Sequence, residues 1–140
     1  MVKIDDIQTL TYCLELFDSS APIKISERVE NLEIYAQKLI KNAHNYYVAN
    51  DGQIAGFISF YANYTDTAYL TIIAVEESNK GRGIGSNMLE YATTFAKEKG
   101  MKRMALEVHK QNSQAISFYK KKNFAIESYG EKSYFMVKVL

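Results

Sequence analysis

Residues 80–86 read Lys-Gly-Arg-Gly-Ile-Gly-Ser, with glycines at 81, 83 and 85. An apolar run, TIIAV (71–75), precedes them and an amphipathic stretch follows. Peptide N–H groups at the start of a helix lack intrahelical partners, and the helix dipole adds partial positive charge there. Glycines clear side chains away, so an anion can reach several N–H groups at once. Lys80 and Arg82 add full charges at the same point. The chemistry this suggests is binding of a phosphate or pyrophosphate. The alternative is a glycine-rich turn that only tightens a strand–helix connection.

Two familiar phosphate motifs do not fit. The dinucleotide fingerprint, counted from Gly81, meets Ser86 where its third glycine belongs, and EESNK separates the strand from the glycines. That also disfavours a dehydrogenase-type nucleotide domain. The P-loop needs Gly-Lys-Ser/Thr, whereas Gly85 is followed by Ser86 and Asn87.

The elements that must position this loop follow from periodicity. VKI (2–4) suggests a short strand, and Ile7, Leu10, Leu14 and Phe17 give helical spacing from Asp5 to about Phe17. DSSAPIKIS (18–26) reads as a loop. Ser26 is the expected cap of a second helix, whose apolar face would carry Leu32, Tyr35, Leu39 and Ile40 and near whose end His44 would fall. YYVAN (46–50), a turn at Asp51-Gly52 and QIAGFISFYA (53–62) predict a β-hairpin, and TAYLTIIAV (67–75) predicts a third long strand. After the glycines, Ile84, Met88, Leu89, Ala92, Phe95 and Ala96 line one face of a helix that should stop at Gly100. MKRMALEV (101–108) predicts a strand. Asn112 can cap a helix running to about Lys122, and FAIESYG (124–130) with SYFMVKV (133–139) predict a final hairpin. The expected class is α+β, helices packed on one mixed sheet.

Composition narrows the class further. A chain of 140 residues with 47% apolar and 24% charged residues has room for one globular domain, here residues 1–140. Its net charge of +1 suggests no nucleic-acid or membrane partner. MVKIDDIQTL lacks the apolar block of a signal peptide, and no run approaches a membrane span. Cys13 is the only cysteine, which fits a reducing, cytoplasmic setting. His44 and His109 are too few and too distant for a histidine metal site, so no metal is expected.

Ile73-Ala74-Val75 followed by Lys80-Gly81-Arg82-Gly83-Ile84-Gly85 resembles the central motif of the GNAT superfamily of N-acetyltransferases, Arg/Gln-x-x-Gly-x-Gly/Ala after a strand. Lys80 stands where Arg or Gln is usual. A second block, LEVHKQNSQAISFYKKKNF (106–124), is similar to the superfamily's next one: Asn112, Ala115, Tyr119 and Phe124 match, and Asn123 replaces a glycine. The resemblance covers roughly residues 53–139 and implies a GNAT-type splayed sheet of six to seven strands flanked by four helices. It implies acetyl-CoA as the acetyl-donor cosubstrate, its pyrophosphate on Lys80, Gly81, Arg82, Gly83, Ile84, Gly85 and Ser86, with Asn112 nearby. Ile73, Ala74 and Val75 would meet its pantetheine and acetyl group. Tyr119 holds the general-acid position, and a packed core tyrosine is the alternative. Glu107, in a Leu-Glu-Val string shared with ribosomal-protein N-terminal acetyltransferases, is the candidate base if burial raises its pKa or water relays the proton. Glu76 and Glu77 are rivals for that role.

Function then reads as acetyl transfer to a primary amine by direct attack in a ternary complex. A non-catalytic acyl-CoA-binding sensor is the alternative. The acceptor could be an amino sugar, a peptide N-terminus or a small amine. Its site would lie among residues 14–35, 61–67 and 128–134, with Asp18, Glu27, Tyr35, Tyr61, Tyr64, Asp66 and Tyr129 as candidates. A homodimer through the last strands is compatible with the superfamily.

Overall fold

The computed structural model describes residues 1–20, 24–63 and 66–140. Tyr64 and part of the loop around Pro22 lie outside the described residues. The elements are β1 (Val2–Lys3), α1 (Ile7–Leu16), α2 (Ile25–Arg28), α3 (Leu32–Asn42), β2 (His44–Asn50), β3 (Gln53–Tyr61) and β4 (Thr67–Val75). They continue as α4 (Ile84–Glu98), β5 (Arg103–His109), α5 (Ser113–Lys121), β6 (Ala125–Tyr129) and β7 (Ser133–Val139). The seven strands form one sheet in the order β1-β2-β3-β4-β5-β7-β6. Every pairing is antiparallel except β4 with β5. This is the α+β mixed sheet expected.

Two apolar layers sandwich the sheet. On one face Leu10, Leu14, Ala36 and Leu39 of α1 and α3 pack on Phe57, Ile72 and Ala74. On the other, Met88, Leu89, Ala92 and Ala96 of α4 and Tyr119 of α5 pack on Ile58, Phe60, Leu70, Leu106 and Met136. The apolar stripe foreseen on α4 is therefore its buried face. Gly100 takes φ 86° after that helix, and the N–H of Met101 returns to Ala96 O at 3.0 Å, closing a left-handed cap.

The stretch expected as one helix from Ser26 is two. Asp18 takes both the N–H of Ser26, at 2.7 Å, and its hydroxyl, at 2.8 Å, so Ser26 lies within α2 with its hydroxyl engaged and caps no helix. Val29 is extended, and Asn31 starts α3 by accepting from Glu33 N and Ile34 N at 2.8 and 3.1 Å. An amide oxygen free to take two orphan N–H groups outcompetes a hydroxyl already engaged. Among the described residues the α-helices number five, with α2 a single turn.

His44 does not end a helix. It opens β2, half-buried, its ring 4.5 Å from Phe95 and 5.4 Å from Phe60. Burial holds its imidazole below the ordinary histidine value, and Lys99 and Lys3 reinforce the shift. Between the two values the unfolded chain binds a proton that the native state does not. The resulting stability is fully present above the unfolded value of about 6.5 and is lost as pH falls from there through the lower native value. The melting temperature should therefore fall between about pH 7 and 5, before the carboxylates titrate, and His44→Phe should remove most of that fall. Calorimetric scans of both proteins across that range check it; parallel slopes would refute it.

Candidate active site

β4 and β5 stay paired for four residue pairs only, from Thr67↔Arg103 to Leu70↔Leu106. Beyond Leu70, β4 remains on β3 as far as Val75, while β5 remains on β7 as far as His109. The two strands part. The N–H of Glu76 donates to Ala55 O on the β3 side at 2.8 Å, so strand alternation turns the peptide groups of Val75 and Ile73 toward the gap. A cleft of about 530 Å³ fills the parting.

A bulge assists it. Ser59 pairs with Ile72 and Phe60 with Leu70, which leaves Thr71 as the extra residue. Its hydroxyl meets the Tyr35 hydroxyl of α3 at 3.0 Å. The bulge also exchanges faces: Ala68 and Leu70 pack toward α4, Ile72 and Ala74 toward α1 and α3.

The glycine loop sits at one end. A 3-10 turn, Glu77–Asn79, intervenes after β4. The Glu76 carboxylate fastens it by accepting from Ser78 N, the Ser78 hydroxyl and Asn79 Nδ2. Gly81 and Gly83 then take φ 81° and 80°, a region costly for any residue with a Cβ. A Cβ on either would meet nothing within 4 Å, so the loop faces open space. Gly83 is the N-cap of α4 and offers no side chain to it. The first intrahelical bond is Asn87 N to Gly83 O, at 2.9 Å. The N–H groups of Ile84, Gly85 and Ser86 precede it, at an uncapped helix start that suits an anion.

Across the gap, Asn112 caps α5 by accepting from Ala115 N at 3.2 Å. At the other end Asn123 takes φ 71°, the N–H of Phe124 returns to Tyr119 O at 3.0 Å, and the Phe124 ring packs 5.6 Å from Tyr119. This cap seats Tyr119 in the cleft wall, nearly buried. Burial pushes its phenol well above the ordinary tyrosine value. Glu107 lies on the other face of the sheet: Leu106 and Val108 pack under α4 and α5, and alternation turns Glu107 away from them.

Residues 10–124 match the acetyltransferase (GNAT) family model.

The chain belongs to that family.

Streptothricin acetyltransferase of Streptomyces lavendulae is 34% identical over 79 residues, 56% of this chain and 42% of its own. A Bacillus subtilis (strain 168) protein named, provisionally, as a ribosomal protein bS18-alanine N-acetyltransferase is 30% identical over 89 residues, 62% of this chain and 58% of its own. The chain thus spans about half the length of the curated relatives it matches. PaiA N-acetyltransferase from Thermoplasma acidophilum, solved in complex with coenzyme A, shares the fold with TM-score 0.78 and 24% identity, over 96% of this chain and 95% of its own.

In this GNAT domain the cleft gathers Ile73, Ala74, Val75, Lys80, Gly81, Gly83, Ile84, Gly85, Ser86, Glu107, Asn112 and Tyr119. Arg82 is outside its lining and exposed. Lys80 is tied to Glu77 at 2.9 Å. Glu107 is exposed. Of its rivals, Glu76 is spent on the 3-10 turn and its hydrogen bonds with Ser78 hold its carboxyl low. Glu77 is spent on Lys80. Burial raises the Cys13 thiol to about 12, which suits packing and not a nucleophile. No helix among the described residues is long and apolar enough to cross a membrane.

The acceptor candidates fare worse. Asp18 closes a loop on Ser26, Asp66 binds the Thr67 hydroxyl, and Tyr129 is 74% exposed against Tyr134. None of Asp18, Glu27, Tyr35, Tyr61, Asp66 and Tyr129 lines the cleft. Arg28, Tyr69 and Thr71 do. Sequence spacing carried no sign of them, because they meet only across the parted strands.

Gly56 was also missed, although a glycine inside a strand is itself a signal of close approach. A Cβ there would stand 2.9 Å from Ile84 Cγ2 and 3.0 Å from Met88 Cε, so Gly56 lets α4 begin against the sheet. Gly56→Val should cost about 1–3 kcal/mol of stability. Gly85→Ala, whose Cβ would find ordinary contacts at 3.6 Å, should leave stability unchanged or raise it by up to about 1 kcal/mol. Urea denaturation of the two variants separates these expectations.

Proposed function

We propose that residues 1–140 act as an acetyl-CoA-dependent N-acetyltransferase, moving an acetyl group to a primary amine by direct attack in a ternary complex. The observation that carries this is the cleft between β4 and β5. It has an uncapped helix start and Tyr119 on one face of the sheet and Glu107 on the other. The open glycine cradle fits a pyrophosphate, held by the N–H groups from Gly83 to Ser86 and by the Lys80 charge. The peptide groups of Ile73 and Val75 would hold the pantetheine arm as an added strand does, and offer an N–H to the oxyanion. A reducing, cytoplasmic setting fits the single buried cysteine.

The step balances as follows. The amine nitrogen bonds to the acetyl carbon, the carbon–sulfur bond breaks, the amine loses one proton and the thiolate gains one. Tyr119 supplies the second proton. Its burial keeps the phenol protonated at working pH, and the same desolvation makes a thiolate beside it more basic. Glu107 accepts the first proton through water.

Acetyl-CoA should bind saturably in a calorimetric titration, and Gly83→Val should weaken it at least about tenfold, since a β-branched residue at φ 80° is strained and fills the cradle. Tyr119→Phe should keep acetyl-CoA affinity and lower kcat about a hundredfold in a thiol-release assay. No acetyl-CoA binding would sink the proposal; full turnover by Tyr119→Phe would remove that residue from it. Because the phenol is raised, its ionisation should cause no loss of kcat up to about pH 10.

A further inference from the structure

On the face of the sheet away from α4 and α5, the cleft wall carries two opposite charges, Arg28 from α2 and Glu107 from β5. Neither has an ion-pair partner among the described residues, where the salt bridges are Lys80–Glu77 and Arg103–Glu127. Tyr69 lines the wall with them. Its phenol, raised first by burial, feels both groups: Glu107 raises it further and Arg28 lowers it. A cation and an anion thus line one wall beside the same phenol and form no salt bridge with each other. The remaining cleft cation, Lys80, stands at the glycine loop, where the pyrophosphate reading already uses it.

We infer that the acceptor is a small amine bearing a carboxylate beside the nitrogen, an α-amino acid or a close analogue, and that Arg28 selects it. The inference rests on the transferase reading and deepens it. An amine arrives mostly as an ammonium, whose charge Glu107 faces and whose proton must leave on that side. A carboxylate a few bonds away accepts paired N–H donors from the guanidinium fork. A zwitterion satisfies both walls at once. A polyamine would bring a second cation toward Arg28, and a neutral amino sugar would leave the guanidinium idle. Thr71 and Tyr69 add hydroxyl groups to the same cleft lining. Arg28 is exposed, so its contribution comes from attraction in the ternary complex and not from relief of a buried charge.

The test is thiol release from acetyl-CoA with a panel of α-amino acids, each paired with its own carboxamide, and with diamines alongside. A carboxamide has the less basic amine, so intrinsic reactivity near neutral pH favours it, and preference for the acid must come from the protein. The wild type should favour at least one acid over its carboxamide by about tenfold or more in kcat/KM. Arg28→Gln should lower kcat/KM for that acid about tenfold to a hundredfold, through KM, and leave the carboxamide within about twofold. Arg28→Lys should restore part of the loss. Acids no better than carboxamides, diamines preferred to both, or equal losses for acid and carboxamide in Arg28→Gln would overturn the inference. Acetyl-CoA binding with every acid inert would also overturn it, leaving the donor site standing. Absence of acetyl-CoA binding would overturn the transferase reading beneath it.

Discussion

Everything in this molecule hangs on the parting of β4 from β5. Backbone N–H and C=O groups demand partners, and a sheet normally supplies them on both edges of an inner strand. Here each strand keeps one antiparallel neighbour, β4 on β3 from Tyr69 to Val75 and β5 on β7 along its whole length, and the parallel junction between them is shared for only four residue pairs. Two well-anchored half-sheets can therefore diverge without either unravelling. The unpaired peptide edge of β4 becomes a row of donors and acceptors for a ligand. The gap joins the two faces of the sheet, which lets one ligand enter from each side.

The helices then aim their ends at the gap. α4 is long and firmly bedded through Met88, Leu89, Ala92 and Ala96, all essentially buried. That burial offsets a costly beginning: two left-handed glycines and a helix start with no side-chain cap. α5 is the reverse, capped by Asn112 at its start and by the left-handed Asn123 at its end. One helix keeps its N–H groups open for a ligand. The other satisfies its ends and so fixes the position of Tyr119.

The two groups proposed to move protons live in different media. Tyr119 is enclosed by Phe118, Phe124 and the apolar layer beneath, and holds its proton tightly. Glu107 stands in solvent on the opposite face. The step proposed for this cleft would use that division, with water having access on the Glu107 side and less on the Tyr119 side.

The sequence by itself determined the strands, four of the helices, the glycine loop and the family motifs. Periodicity, Asn or Gly at left-handed positions and phosphate-loop spacing are local properties, written in neighbouring residues. It also named residues that line the cleft, Ile73 to Val75 and all of Lys80 to Ser86 but Arg82, because these lie on one strand, one loop and one helix in succession. Only the tertiary structure decided the rest. Ser26 gave its hydroxyl to Asp18 while Asn31 took the cap of α3, and His44 moved to a strand between Phe60 and Phe95. The Thr71 bulge turned alternate residues of β4 from one layer to the other. Arg28, Tyr69 and Glu107, far apart along the chain, came to share one wall. The reason is common to all of these: each depends on competition between partners distant in sequence, and that competition is settled only when the two half-sheets pack and part.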